Sequence, residues 1–254
     1  MSRDFIVTKE HRRFIEFANA VRKERTIGIC HGDAGVGKTQ SGRRYAHWDT
    51  VEPFITEWGP RTEDDAKLYA TANRCRTVFY TPEVLPRPKI LMHEIAHLQT
   101  KLGICIDEHQ RNIGKVTGAR SGHTNKWVEL LIIDEADRLK TTGLEQVRDF
   151  YDRHRMGVIL IGMPGIEKRL ARYPQLYSRI GFAHEYRPLT PDELTAVLTN
   201  RLPAAADTPD GGIAHATAIA TIVRITAGNF RLVDRLTTQI ERIQSLNDIP
   251  TLTP

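Results

Sequence analysis

The sequence predicts an α/β fold in which a parallel sheet is flanked by helices and followed by a small, all-helical lid domain. Three observations support this prediction. Short apolar segments alternate with helical segments up to about residue 187. A glycine-rich loop follows the first apolar segment, and only helical patterns occur after Thr190. We therefore expect an α/β domain over residues 1–187 and a helical lid over residues 188–254.

Five apolar segments have the length and composition of buried strands. Strands of a parallel sheet are covered on both faces, so they are continuously apolar rather than alternating. The segment VELLII is the clearest example, and the last of the five is the weakest. The predicted strands cover residues 26–30, 76–80, 128–133, 158–161 and 181–187.

Helical segments lie between and after these strands. Thr8 is suited to cap the first helix, in which Phe14, Phe17 and Val21 recur at helical spacing. Residues 50–75 are polar and contain two prolines, which predicts a loop or a short insertion. The predicted helices cover residues 8–24, 38–47, 90–102, 144–154, 191–201, 213–226 and 230–246.

Composition excludes several classes of protein. The chain has 254 residues, of which 40% are apolar and 26% charged, as in ordinary globular proteins. Neither a membrane-spanning apolar run nor a secretion signal is found, so we expect no membrane partner. The three cysteines are far apart, which indicates a reducing cytoplasm. A net charge of +5 permits nucleic-acid binding without showing it.

The strongest motif is GDAGVGKT, which matches G-x-x-x-x-G-K-[ST] in full between a predicted strand and a predicted helix. Gly35 and Gly37 let the backbone turn and direct its N–H groups at a polyphosphate. Lys38 supplies a positive charge to the phosphates, and the Thr39 hydroxyl can coordinate Mg²⁺. The motif predicts ATP contacts from Gly32, Asp33, Ala34, Gly35, Val36, Gly37, Lys38 and Thr39.

A second motif, LLIIDE, ends an apolar strand in two acids. Asp134 is placed to hold Mg²⁺ together with Thr39, and Glu135 to polarise an attacking water as the catalytic base. A strand that ends in a solvated acidic turn is the structural alternative. Both motifs occur in the expected order, each at the carboxyl end of a strand, so we predict binding of ATP and Mg²⁺ and hydrolysis of ATP.

A third pattern, HEIAH, matches the H-E-x-x-H motif of zinc peptidases from His93 to His97. His109 is a candidate third ligand. The extended form of the motif is absent, because Thr100 and Gly103 occupy its glycine and histidine positions. We favour a solvated or nucleic-acid-facing helix and keep a zinc peptidase as a remote alternative.

Five segments occur in a characteristic order: GDAGVGKT, LLIIDEADRLK, VILIGMPGIEKRL, LYSRIGF and AGNFRLVDRL. The chain resembles the AAA+ ATPases that regulate DNA transposition, the family of the phage Mu B protein, TnsC and TniB, over most of residues 25–245. This resemblance implies an AAA+ phosphate-loop domain with a helical lid.

The resemblance also implies roles for two arginines. Arg179 stands where AAA+ proteins keep the arginine finger that reaches a neighbouring subunit's γ-phosphate, although Arg169 and Arg172 are nearby competitors. Arg231 stands where the lid keeps its sensor arginine and would contact ATP. A polar sensor residue usually follows the VILI strand, whereas this chain has Met163, which cannot orient a water strongly. We therefore expect slow hydrolysis.

Basic residues in two regions are the predicted DNA contacts. In related proteins, the loop after the second strand and the first turn of the helix that follows it line the central channel. The resemblance therefore implies that Arg87 and Lys89 contact the DNA backbone. Residues 110–126 contain basic side chains and no acid, so they form either a solvated surface or a DNA-contacting one. The candidates in this stretch are Lys115, Arg120 and Lys126.

The resemblance implies a function for the whole chain. Subunits would assemble with ATP into a hexameric ring or a helical filament around duplex DNA, independent of its sequence. The assembly would recruit a DDE-type transposase, with or without a target-selector protein, and disassemble on hydrolysis. It also implies a cytoplasmic, nucleoid-associated protein of a bacterium or phage. Another AAA+ DNA machine, of the replication-initiator or helicase-loader type, is the alternative.

Overall fold

A computed structural model describes residues 5–57, 59, 62–84, 87–118, 124–202 and 211–247. Its centre is a five-stranded sheet with the order β2-β3-β4-β1-β5, in which every neighbouring pair is parallel. Of the three inner strands, β3 and β4 are buried along their whole length and β1 is buried except at its last residue, His31, as a sheet covered on both faces requires. This confirms the predicted α/β class. The strands are β1 (Ile27–His31), β2 (Thr77–Tyr80), β3 (Leu130–Ile133), β4 (Gly157–Gly162) and β5 (Ile180–Glu185).

Helices connect the strands and form the C-terminal part of the chain. The Thr8 hydroxyl accepts a hydrogen bond from the His11 N–H at 3.1 Å, which confirms the predicted cap of the first helix. None of the described helices is long and apolar enough to cross a membrane. The helices are α1 (Lys9–Glu24), α2 (Lys38–Tyr45), α3 (Trp48–Thr56), α4 (Ala66–Cys75), α5 (Pro88–Asn112), α6 (Thr141–His154), α7 (Ile166–Leu170), α8 (Pro174–Tyr177), α9 (Pro191–Arg201), α10 (Gly211–Thr226) and α11 (Phe230–Asn247).

The prediction of a loop or insertion over residues 50–75 was wrong. Helices α3 and α4 occupy most of this region. Trp48, Val51 and Ile55 are buried along one side of α3, and this burial outweighs the helix-breaking tendency of Pro53. The predicted helix over 90–102 is also longer than expected, because α5 continues to Asn112 with further buried side chains.

The chain packs as two compact units. The sheet unit comprises Phe14–His31 and Lys38–Glu185. The helical unit comprises the described residues of Met1–Arg13, Gly32–Gly37 and Tyr186–Pro254. The predicted domain division at residue 187 stays a prediction.

The helical unit has an apolar core of its own. A Thr190–Glu193 capping box begins α9, with the Thr190 hydroxyl accepting from the Glu193 N–H at 3.3 Å. Gly228 has a positive φ of 77°, and a Cβ on it would lie 2.3 Å from the Leu189 carbonyl oxygen, so only glycine fits before α11. The buried core residues are Leu189, Leu194, Leu198, Leu202, Ile219, Ile222 and Val233.

Candidate functional site

The phosphate loop Gly32–Gly37 belongs to the helical unit and leads directly into α2. Gly35 and Gly37 have positive φ angles of 81° and 112°, a conformation that favours glycine. A Cβ on Gly35 would lie 2.3 Å from Oδ1 of Asn229, so a side chain there would also collide with the start of α11. The glycines of the motif are therefore required by both conformation and space.

Asn229 joins this loop to α11. Its Oδ1 accepts hydrogen bonds from the N–H groups of Arg231 and Leu232 at 3.1 and 3.3 Å, which caps the helix. Its Nδ2 donates to the Ala34 carbonyl at 2.8 Å, and the Arg231 N–H also lies 3.2 Å from the Gly35 carbonyl oxygen. Sequence reasoning missed Asn229, although an asparagine directly before a helical segment is a recognisable cap signal.

Lys38, Thr39 and the two acids of the second motif belong to the sheet unit. Lys38 begins α2 and is 8% exposed, and Asp134 follows β3 and is 4% exposed. Burial raises the pKa of Asp134 above its usual value, while a hydrogen bond from Thr39 and the charge of Lys38 oppose this shift. A buried carboxylate beside a hydroxyl is an oxygen donor set that suits Mg²⁺.

Glu135 follows Asp134 in a strained backbone conformation. Its φ of 49° and ψ of 39° lie in the left-handed region, which is uncommon for a residue other than glycine. Its carboxylate is about half exposed and lies 3.8 Å from Nε of Arg138, which in turn donates to the Pro82 carbonyl at 2.6 Å. The turn therefore presents Glu135 outward, where its carboxylate can reach a water.

Asp137 connects this acidic turn to the end of β4. Its Oδ2 accepts a hydrogen bond from the Met163 N–H at 2.7 Å, and its carbonyl accepts one from Arg169 at 2.8 Å. A Cβ on Gly162 would lie 2.7 Å from the same carboxylate. The Met163 side chain is 41% exposed and offers only a thioether, so slow hydrolysis stays a prediction.

Arg179 precedes β5 and is held by an acid of the same unit. Its Nε and Nη2 contact the Asp152 carboxylate at 2.5 and 2.9 Å, and this guanidinium lowers the pKa of Asp152. Arg148 contacts the same carboxylate at 2.9 Å. To act as an arginine finger, Arg179 would have to leave Asp152, and this role stays a prediction. The sensor role of Arg231, whose side chain is exposed, also stays a prediction.

The predicted DNA contacts do not form one cluster. Arg87 and Lys89 are exposed at the start of α5, whereas Lys115 is exposed just beyond its end. A 25-residue helix is about 37 Å long, so these two sets are far apart. Lys126 is exposed elsewhere, with Nζ 5.2 Å from the Trp127 ring centroid. Arg120 lies outside the described residues.

The HEIAH segment has structural contacts in α5. The rings of His93 and His97 are nearly parallel, with centroids 6.3 Å apart, and Glu94 accepts a hydrogen bond from the Tyr80 hydroxyl at 2.5 Å. Burial and Glu94 together raise the pKa of Tyr80. Within the described ranges, no three His, Cys, Asp or Glu side chains are grouped so that they could hold a metal. Nothing in this arrangement favours a zinc peptidase.

The fold and these residues define the class of the protein: a phosphate-loop α/β protein with a C-terminal helical region. A model of the AAA domain matches residues 21–170, which is more than half of the chain. The chain belongs to the AAA domain family.

A Staphylococcus aureus protein described as a potential ATP-binding protein is 41% identical over 259 residues, covering 98% of this chain and 92% of the relative. Solved structures with similar folds include the Aeropyrum pernix Orc1 protein in complex with DNA, at 15% identity and a TM-score of 0.54. The Thermotoga maritima RuvB Holliday junction branch migration motor has 16% identity and a TM-score of 0.54. The match to the Orc1 structure covers 95% of this chain but only 62% of the Orc1 chain. The match to the RuvB structure covers 98% of this chain and 66% of the RuvB chain.

Proposed function

We propose that this AAA protein is an ATP-dependent, DNA-binding regulator of DNA transposition. The observation that carries the proposal is the buried acid Asp134 beside the hydroxyl of Thr39, the last residue of a complete phosphate-loop motif, since these two oxygen donors suit Mg²⁺. Further support for a DNA-related role comes from the fold shared with the DNA-bound Orc1 protein and the RuvB motor. The transposition role itself is supported by the motif order from residue 32 to residue 236.

Each residue of the two nucleotide motifs has its own role in the proposed hydrolysis of ATP. The loop N–H groups and Lys38 bind the phosphates, and Thr39 and Asp134 hold Mg²⁺. Bound Mg²⁺ neutralises charge on the phosphate oxygens during transfer. Glu135 accepts a proton from the attacking water, for which its outward position in a strained turn is suited. Arg231 contacts the nucleotide from the first turn of α11.

Assembly is the second part of the proposed function. Arg179 of one subunit leaves Asp152 and reaches the γ-phosphate of the next, so the bound nucleotide controls association. The subunits form a ring or a filament on duplex DNA, and Arg87 and Lys89 contact its backbone without reading its sequence. The assembly presents this DNA to a DDE-type transposase and dissociates after hydrolysis. Met163 makes turnover slow, which suits a switch.

Electron microscopy of the protein on a long random duplex tests this proposal. We expect continuous rings or filaments with a non-hydrolysable ATP analogue and bare DNA with ADP. An Arg179→Ala variant should bind ATP but fail to assemble, while the exposed Arg224→Ala should assemble normally as a control. Assemblies that form equally with ADP would contradict the proposal.

A replication helper with the same ATPase chemistry is the second candidate, supported by the Orc1-like fold. The partner separates the two candidates. A DDE-type transposase encoded beside this chain and stimulated by it in strand transfer supports the first, and a replicative helicase that it loads supports the second.

A further inference from the structure

All five strands are parallel, so the residues that precede them meet at one edge of the sheet, here called the amino-terminal edge. Nine lysines and arginines and three acids occur in these segments, giving a net charge of +6, whereas the whole chain carries +5. The remaining chain is close to neutral. The segments of the amino-terminal edge are residues 22–26, 73–76, 125–129, 152–156 and 177–179.

Three of these cations are arginines in the left-handed backbone conformation. Arg25, Arg76 and Arg155 have φ angles of 53°, 45° and 48°, and each directly or closely follows the end of a helix. Glycine or asparagine is the usual residue at such positions, because other side chains are strained there. A residue held in such a conformation without a local structural reason is a candidate for a function.

Local contacts explain Arg76 but not the other two. Arg76 donates to the Glu129 carboxylate at 2.8 Å and to the Asn73 carbonyl at 3.0 Å. By contrast, the guanidinium groups of Arg25 and Arg155 are exposed and form no hydrogen bond or ion pair with any residue that the structure describes. Folding alone therefore gives no reason for arginine at either position.

These two arginines precede neighbouring strands of the sheet. Arg25 precedes β1 and Arg155 precedes β4, and the two strands are hydrogen-bonded neighbours with Ile27 opposite Val158. Adjacent strands are about 4.8 Å apart, so the two backbones start within one strand spacing of each other. The Tyr151 hydroxyl donates to the Arg25 carbonyl at 2.9 Å and links α6, which ends just before Arg155, to this turn. Two like charges in this arrangement repel each other unless an anion lies between them.

A cleft of about 330 Å³ opens beside Arg25, lined by that residue and by Asn19, Arg22, Lys23 and Glu129. Glu129 contacts Arg22 at 2.5 Å and Arg76 at 2.8 Å, so its charge is already shared between two guanidinium groups. Lys23 and Arg25 are then left as uncompensated cations on the cleft wall.

We propose that the amino-terminal edge binds the phosphodiester backbone of nucleic acid, with Arg25 and Arg155 as its central contacts and Lys23, Arg74 and Lys126 extending it. Guanidinium groups match phosphate oxygens in a bidentate manner. These cations precede four neighbouring strands, β2, β3, β4 and β1, and so extend over about 14 Å, which fits a chain of phosphates rather than a single phosphate. The inference rests on the proposed function in that duplex DNA is the partner, and it adds a surface separate from Lys89 and Lys115.

A double substitution, Arg25→Asn with Arg155→Asn, tests this proposal in the full chain. Asparagine tolerates the left-handed conformation, so the variant should unfold at the same denaturant concentration as the wild type or at a higher one. Its affinity for a labelled 30-base-pair duplex should fall roughly tenfold, and the slope of log K against log salt should fall by about 2. The Lys67→Ala, Arg224→Ala double variant removes the same charge from other exposed sites and should bind like the wild type.

The outcomes separate this inference from the proposed function. If the wild type binds no duplex with any nucleotide, the proposed function is wrong and this inference falls with it. If the wild type binds and the asparagine variant matches it in affinity and salt slope, only this inference is overturned. Equal competition by polyglutamate would overturn it in favour of an acidic protein segment. Displacement by inorganic phosphate at the same phosphate concentration would overturn it in favour of a small phosphorylated ligand.

Discussion

The two edges of one sheet differ in net charge. In the sheet unit, residues 81–87, 134–140 and 163–169, which follow β2, β3 and β4, contain five acids and five bases and are neutral, whereas the segments before the strands carry a net charge of +6. A parallel sheet gathers all strand ends at one edge and all strand starts at the other. A chain of low net charge can therefore support metal–nucleotide chemistry at one edge and polyanion binding at the other. The acids at the carboxyl edge are Glu83, Asp134, Glu135, Asp137 and Glu167.

The edges also differ in how their side chains are held. At the carboxyl edge Asp134 is buried and Asp137 is hydrogen-bonded to the Met163 N–H. At the amino-terminal edge Arg25 and Arg155 are exposed without a described partner. Catalysis needs fixed groups, whereas contact with a nucleic-acid backbone tolerates mobile ones. Variants at either edge should therefore affect different measurements.

The largest effect is expected from Lys38→Ala at the carboxyl edge. Loss of the buried ammonium should weaken ATP binding by more than ~100-fold and abolish hydrolysis, because charge-assisted hydrogen bonds to the phosphates are lost. Isothermal titration with ATP measures this. The exposed Lys168→Ala should bind ATP normally, and an Lys38→Ala protein that binds ATP like the wild type would show that the loop does not hold the phosphates.

Glu135→Gln should separate binding from chemistry. Removing the general base should lower kcat by about 10²–10³-fold while ATP affinity changes little. Phosphate release under saturating ATP measures the first quantity, and titration with ATP the second. Hydrolysis at the wild-type rate would mean that another group activates the water.

Asn229→Ala is expected to have a moderate effect on the helical unit. The loss of the α11 cap should lower its stability by about 1 kcal/mol. The loss of the hydrogen bond to Ala34 should also weaken ATP binding roughly fivefold, since one neutral hydrogen bond contributes about 1 kcal/mol. Urea unfolding and ATP titration measure the two effects. Asn247→Ala, at the other end of the same helix, is the control and should change neither.

The smallest effect is expected from Glu129→Gln at the amino-terminal edge. Burial alone would raise the pKa of Glu129, but hydrogen bonds and charge from Arg22 and Arg76 hold it below its usual value. This carboxylate therefore stabilises the wild type above its unfolded-state pKa, and that stabilisation is lost as the pH falls through its lowered folded-state pKa.

At neutral pH the glutamine variant should be less stable by about 1 kcal/mol, because a partly exposed ion pair contributes no more. The difference should vanish in acid. DNA affinity should rise about twofold, since Arg22 and Arg76 lose their counter-charge. Urea unfolding at several pH values and duplex titration measure these effects, with the exposed Glu57→Gln, outside the amino-terminal edge, as the control. A stability difference that persists undiminished in acid would contradict the charge-based explanation.

Local signals in the sequence predicted much of the fold and the nucleotide motifs. The strands are continuous apolar runs, and α9 was predicted with its observed ends because Thr190, Pro191 and Glu193 mark its start. The phosphate loop is a contiguous motif whose glycines have the expected positive φ angles. Each of these features depends on a few neighbouring residues.

Features that depend on distant residues could not be predicted. The hydrogen bond from Asn229 to Ala34 joins residues 195 positions apart. The adjacency of Arg25 and Arg155 requires knowledge of the strand order, which the sequence does not contain. Residues 50–75 were misassigned because polar residues and Pro53 obscured the buried face of α3, which becomes visible only when its packing is known.

Nucleotide control of DNA binding is the central claim, and equilibrium binding of a labelled random duplex tests it most directly. The titration compares ATP, a non-hydrolysable analogue, ADP and no nucleotide, with Lys38→Ala alongside. We predict tight, cooperative, sequence-independent binding with ATP or the analogue only, and weak binding in every condition for Lys38→Ala. A protein that binds ATP but has the same affinity for DNA in all four conditions would contradict the proposed function.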